Sequence, residues 1–289
     1  MSIHGILGEQ TTDYATEYSP ETLYPIARNL GRDVIGWQDD KLAVGVDWWH
    51  AFELSWLNAQ GVSQVAIARF AIPASSPFIV ESKSLKLYLN SINFTEFASW
   101  NEVQALIAKD LSSCVQAKVT VELFGLNDDL SYRIIGLLIA QPEGVCIDEA
   151  LANSSEKVAL TEHPDASLLA SGSVGSEKEA GKMLSFYSNL LRSNCPVTNQ
   201  PDWGTLAVSI TSDKAFDEAS MLRYILSFRQ HNGFHEQCVE QIFADLSKYY
   251  EPSELIVRAW YTRRGGIDIN PCRVSDIKLL PQPSRLIRQ

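Results

Sequence analysis

Both halves of the chain read as strand, strand, helix, helix, strand, and that order limits the fold more than any other feature. In the first half, residues 46–57 put Val46, Trp48, Phe52, Leu54 and Trp56 on one parity, the pattern of a strand with an apolar face. Ala59-Gln60-Gly61 makes a turn, and residues 64–72 form a second strand closed by Pro73. Residues 81–91 read as a short helix. Residues 100–111 are helical, because Val103, Leu106, Ile107 and Leu111 share one face. Residues 118–124 alternate Val119, Val121 and Leu123 as a third strand. The second half repeats the order: strands at 183–191 and 204–211, helices at 216–229 and 235–249, and a last strand at 255–261, with Pro271 ending the region. Asp217 and Glu218 suit the positive end of the first of these helices. Helices confined to the middle of an antiparallel unit predict α+β rather than a doubly wound parallel sheet. The halves share little residue identity, so the repeat is structural.

The length of 289 residues agrees with about two domains. Residues 1–40 are polar and read as an extended arm, 41–150 as an N-terminal module and 151–289 as a C-terminal module. The balance of 24 Lys+Arg against 35 Asp+Glu gives a net charge of −11, which excludes a general nucleic-acid surface while allowing a local basic cluster. No apolar run reaches the length of a membrane span, and the start MSIHGILGEQ shows no secretory pattern. The five cysteines are odd in number and widely spaced, without Cys-x-x-Cys. Together these predict a cytoplasmic protein with free thiols, no membrane partner and no structural metal.

Three motifs fall short of the chemistry they resemble. Gly175 to Met183 is one residue too long for a phosphate loop, and Met183 replaces its metal-binding hydroxyl. His235-Glu236-Gln237-Cys238-Val239 begins like a zinc-protease helix, but Val239 stands where the second His is needed. No Gly-x-Gly-x-x-Gly follows a strand.

Four segments carry usable chemistry. Ser193 to Gly204 holds Cys195, Pro196, Pro201 and Asp202 on a stiffened loop. A Cys/Asp pair supplies a nucleophile and a proton donor or acceptor. The plainer alternative, a packed Cys and a turn Asp, outweighs it on composition alone. In Glu81-Ser82-Lys83-Ser84-Leu85-Lys86-Leu87-Tyr88, Lys83 and Lys86 share a helix face and make either an anion cradle or a solvated turn. Phe234-His235-Glu236 opens a helix, where the acid caps it or accepts from a purine or pterin edge with Phe234 stacked on the ring. Arg263-Arg264-Gly265-Gly266 suits a phosphate or an exposed strand end.

Together these segments resemble the 7-cyano-7-deazaguanine reductase family, the QueF nitrile reductases of queuosine biosynthesis, in its long two-module form. Residues 81–88 match all eight positions of the family signature. Cys195 to Gly204, Phe234-His235-Glu236 and Arg263 to Gly266 match its other blocks. The resemblance spans about residues 15–280. It implies two tandem tunnelling-fold modules, each an antiparallel sheet with a pair of helices, in a homodimer.

The resemblance also implies roles. Cys195 attacks the nitrile carbon to form a thioimide, and Asp202 donates a proton to the nitrogen. Two NADPH in turn complete the reduction to 7-aminomethyl-7-deazaguanine, with no metal required. Glu81 and Glu236 hold the deazaguanine, with Val80 and Ser82 contributing backbone, Phe234 stacking and His235 assisting. Ser82, Lys83, Arg264 and Gly265 contact NADPH. A zinc-free purine- or pterin-binding protein of the same fold, a cyclohydrolase, a thiol hydrolase of nitriles and a non-catalytic base-binding module are the competing readings. A cyclohydrolase calls for a zinc site that the scattered cysteines do not supply. A hydrolase leaves Arg263 and Arg264 without a role.

Overall fold

A computed structural model of the chain describes residues 14–127, 137–155, 157–170 and 181–289. Residues 1–13 of the arm and 175–180 of the phosphate-loop look-alike lie outside the described residues. The elements that matter are β1 (Pro25–Ala27), α1 (Asn29–Ile35), β2 (Gly45–Asn58), β3 (Ser63–Pro73), β4 (Phe78–Val80), α2 (Ser82–Ser91), α3 (Trp100–Val115) and β5 (Thr120–Phe124). The second half adds β6 (Val145–Cys146), β7 (Met183–Asn194), β8 (Pro201–Thr211), α4 (Glu218–Leu226), α5 (His235–Tyr250), β9 (Glu254–Tyr261) and β10 (Ile267–Val274). The class is α+β, and each half has its antiparallel strands and its helix pair.

The two sets of strands run into one nine-stranded sheet, in the order β5-β3-β2-β10-β9-β8-β7-β6, with Glu96–Phe97 paired beside β2. The join is β10, a strand beyond the predicted last one at 255–261. Pro271 does not end the region but sits inside β10, opposite Asp47 of β2. Pairing of β10 with β9 covers only Cys272 to Val274, so the missing N–H of Pro271 falls beyond that ladder. Every residue of β10 is buried, and so it lacks the alternation that marks a half-buried strand.

The expected single parity of β2 also needs correcting. The register of β2 on β3 shifts between Ala51 and Leu54. Such a bulge exchanges the two faces of a strand. Trp49, Ala51, Leu54 and Trp56 therefore face the helices of the first half, while Trp48 packs with Cys272 and Val274 on the other side.

Residues 14–40 are not an extended arm. They contain β1 and α1, and β1 pairs with β4. Two arginines anchor them, against the pull of a polar composition. Arg28 donates to Asp47 at 2.6 Å and Arg32 to Glu240 at 2.8 Å. Arg273 of β10 pairs with the same two acids, Asp47 at 2.6 Å and Glu240 at 2.8 Å. Burial alone would raise Asp47, but Arg273 and Arg28 hold it below the ordinary carboxylate range.

Two apolar cores flank the seam. In one, Val103, Ile107 and Leu111 of α3 pack on Trp49, Ala68 and Phe70. In the other, Val239, Ile242, Phe243 and Leu246 of α5 pack on Leu206, Val208, Leu255 and Val257. Fully burying such a side chain contributes about 1.5–3 kcal/mol. Among the described residues, no helix is long and apolar enough to cross a membrane.

Candidate active site

A cleft opens where the two cores meet, over a cross-strand pair. Trp49 of β2 and Ile269 of β10 lie opposite each other and form its floor. The first half contributes one wall, Ile79, Val80 and Ser82, from the step between β4 and α2. The second half contributes the other: Cys195, Pro196 and Asp202 from the β7–β8 hairpin, and Phe234, His235 and Glu236 from the start of α5. Arg264, between β9 and β10, closes one end. The free space between these walls is small, about 10 Å³, roughly the room of one water.

The hairpin sets the position of the thiol. Cys195 N–H donates to Gln200 O, and Asn199 N–H donates back to Cys195 O, both at 2.9 Å. Asn199 takes a positive φ of 54°, which Asn tolerates better than most residues. β8 begins at Pro201, so Asp202 stands on a strand rather than in a loop, paired across to Ser193. This rigid turn brings Cys195 and Asp202 to one cleft. Cys195 is half-buried and Asp202 buried. Arg264 Nη2 lies 3.0 Å from Asp202 Oδ1, and His235 Nε2 lies 3.6 Å from the same oxygen. Arg264 also donates to Gln200 Oε1 at 2.8 Å, tying the turn to the hairpin. The ring of His235 sits edge-on to Tyr261 at 4.1 Å.

Glu236 is the unusual carboxylate. It is 2% exposed, and its Oε1 has no hydrogen-bond partner. Burial, reinforced by Asp47, pushes it up to about 7, against the opposing pull of His235 and Arg28. A buried acceptor without a partner is costly unless a ligand fills it.

Three expected members stand outside this cleft. Glu81 caps α2, accepting from Lys83 N–H at 3.0 Å and Ser84 N–H at 2.7 Å. Its carboxylate is occupied by its own helix and does not line the cleft. Gly265 instead faces an adjoining groove beside Lys86, and Lys83 lines neither space. The sequence offers Lys86 only as the face partner of Lys83. It lines the adjoining hollow with Ser82, His235, Thr262 and Arg264. Burial, then Arg264, pulls its ammonium below the usual range, opposed by Glu81, Asp202 and Cys195. Sequence reading also missed Trp49 and Ile269. The bulge hid the first, and the unrecognised β10 hid the second.

The turn after β9 brings Arg264 beside Lys86, two cations of the kind that pair with phosphate. Gly265 and Gly266 take positive φ of 55° and 74°. A Cβ on Gly266 would come within 2.4 Å of Glu53 Cδ. The Glu53 carboxylate takes the space a side chain on Gly266 would need, so glycine is required there by packing, and Lys86 and Arg264 are the cations beside the turn. Among the described residues, no group of three or more His, Cys, Asp or Glu could hold a metal ion.

Comparison with known proteins gives a consistent result. Residues 14–123 match the family described as nitrile reductase, 7-cyano-7-deazaguanine-reductase N-term, and residues 201–278 match that described as QueF-like protein. Proteins named NADPH-dependent 7-cyano-7-deazaguanine reductase are 81% identical in Psychrobacter cryohalolentis and 80% identical in Psychrobacter arcticus. One from Acinetobacter baylyi is 50% identical. Each alignment covers 100% of both chains.

Proposed function

The chain belongs to the QueF family of nitrile reductases, and from that premise we propose that it reduces 7-cyano-7-deazaguanine to 7-aminomethyl-7-deazaguanine with NADPH. The observation that carries the reading is Glu236, buried and unpartnered in the same cleft as Cys195 and Asp202. A guanine-like edge offers the N–H donors that such a carboxylate lacks. Phe234 and Trp49 supply apolar surface for the ring.

With the base so held, Cys195 Sγ adds as thiolate to the nitrile carbon. One C≡N π bond breaks, and the nitrogen takes from Asp202 the proton that the Cys195 thiol has passed to it, giving a thioimide. Arg264 fixes the Asp202 rotamer, and His235 on the same oxygen is the next group for proton return. Lys86 and Arg264 would hold NADPH by its phosphates, and the cofactor would supply hydride to the activated carbon, two being consumed per base. Between the two reductions the thiolate leaves the carbon, and its recapture of the imine is reversible. The walls on both sides keep water from that imine. Val80 and Ser82 border the base through the chain turn before α2, and Lys83, Lys86, Arg264 and Gly265 serve the dinucleotide. The enzyme needs no metal and binds neither nucleic acid nor membrane. It works in the cytoplasm as a homodimer, in queuosine biosynthesis.

Intact-mass measurement after mixing protein and nitrile base without NADPH tests the reading. We expect one base added to the wild-type chain and none to Cys195→Ala, which also oxidises no NADPH. A wild-type protein that oxidises no NADPH with this base overturns the reductase reading. Turnover that survives in Cys195→Ala overturns the covalent route alone.

A further inference from the structure

We propose that the groove leading from the cleft along α2 seats the adenosine half of the dinucleotide, with the adenine on Phe94. This rests on the reductase reading. Three spaces join into one path. The cleft and the hollow beside it share Ser82, His235, Arg264 and Ile269. That hollow and the outer groove share Lys86 and Ile267.

The chemistry along the path changes in the order of the parts of an extended dinucleotide. Cys195 and Asp202 are at the inner end, where hydride must arrive. Lys86, Arg264 and the Thr262 hydroxyl are in the middle, where two phosphates need cations and donors. Gly265 and Gly266 line the start of the outer groove, Gly265 against Lys86 and Gly266 packed against Glu53. The outer end offers Ser55, Ser63, Asn90 and Asn93 for hydroxyls and phosphate, and Leu89 and Phe94 for a flat base. Phe94 is 64% exposed, the one exposed phenylalanine among the eleven in the chain. An aromatic left in water at the end of a phosphate path is a stacking platform for a base.

A rival place exists. Trp203 carries Arg192 and Arg229 at 5.4 and 5.7 Å from its ring, beside an open hollow. That hollow is richer in guanidinium, but it shares no lining residue with the cleft. It borders the hairpin through Asn194 and Asn199, whereas Cys195 and Pro196 face the cleft.

Titration with adenosine 2′,5′-bisphosphate, alongside steady-state kinetics, decides between them. Phe94→Ala should weaken binding of this probe roughly tenfold or more, in line with loss of one base–aromatic stack. It should raise KM for NADPH rather than lower kcat, and leave the adduct on Cys195 intact. Ser63→Trp, which fills the outer end from an exposed position, should act in the same direction. Arg229→Ala should change none of these. Wild-type affinity in both Phe94→Ala and Ser63→Trp overturns the proposal, as does a loss that follows Arg229→Ala instead. Failure of the reductase reading shows separately, as absence of NADPH oxidation by the wild-type chain.

Discussion

The helix pairs of the two halves are built on one plan, yet only one half carries a nucleophile. Tyr88 of α2 donates to Asp110 of α3 at 2.7 Å, and Tyr224 of α4 donates to Asp245 of α5 at 2.7 Å. Three residues after each tyrosine, a serine hydroxyl returns to its carbonyl at 2.6 Å, Ser91 to Tyr88 and Ser227 to Tyr224. An acid caps the first helix of each pair, Glu81 or Asp217, and the second helix has 16 residues in both. The hairpins differ. The first half turns through Ala59-Gln60-Gly61, and the second carries Cys195 on its turn. The second position of α3 is Asn101, and that of α5 is Glu236. The scaffold recurs while the chemistry occurs once, at the seam, with Val80 and Ser82 from one half and Cys195, Asp202 and Glu236 from the other.

The strongest way to break this comparison is to cut the joint. Arg273 is fully buried and holds Asp47 of the first half and Glu240 of the second. Arg273→Met leaves both acids partly unpaired, and we expect a loss of about 3–5 kcal/mol, the usual range for breaking a buried ion pair. Urea unfolding measures it. A variant as stable as wild type would mean that the halves do not depend on this joint.

A smaller effect separates the halves by function. Glu236→Ala should weaken binding of the deazaguanine about 100-fold, the loss of a buried charge-assisted contact of about 3 kcal/mol. Asn101→Ala, at the matching place on α3, should leave binding unchanged. Calorimetric titration with the aminomethyl product checks both. Equal losses would mean that the first half also holds a base.

Glu236 carries a pH signature as well. Its carboxyl stands at about 7 when folded, above the ordinary 4.5. Burial of its charge therefore destabilises the ligand-free fold in full above about 7, and this penalty fades as pH falls toward 4.5. Glu236→Gln should stabilise the free protein by on the order of 2 kcal/mol near pH ~8, with no gain near pH ~4.5. Thermal unfolding across that window would contradict this assignment if the gain were the same at both ends. Base binding should weaken over the same interval, because protonation removes the charge and turns one of the two accepting oxygens into a donor.

The sequence announced the helices and most strands because each has one wet face. Val103, Ile107 and Leu111, or Val239, Ile242 and Leu246, can be read from their spacing. β10 is buried on both faces and contains Pro271, so neither alternation nor propensity marks it. Trp49 escapes the single-parity reading because the bulge after Ala51 reverses the phase of β2. Cys195, Asp202, Phe234, His235 and Glu236 were legible as motif blocks. That they meet over Trp49 and Ile269 was not, since register across β10 is a property of the sheet. The repeated Tyr–Asp pairs were missed for a related reason. Tyr88 and Asp110 are 22 residues apart, and Tyr224 and Asp245 are 21 apart, so a fixed-offset comparison of the halves misses one partner or the other.

Those pairs give the finest test of the shared plan. Tyr88→Phe and Tyr224→Phe each remove one hydroxyl without opening a cavity. Neither acid is then left bare. Asp110 keeps Tyr18 as a donor at 2.6 Å, and Asp245 keeps Gln241 at 2.9 Å. Each substitution should therefore cost only the net value of a hydrogen bond to a charged group, about 1–2 kcal/mol, with the two costs alike to within about 1 kcal/mol. The double variant should lose the sum, because the helix pairs have separate cores and distant mutations add. If one tyrosine mattered several-fold more than the other, or if the losses failed to add, the duplicated geometry would conceal unequal roles. The catalytic half would then owe more to its own helix pair than to the common scaffold.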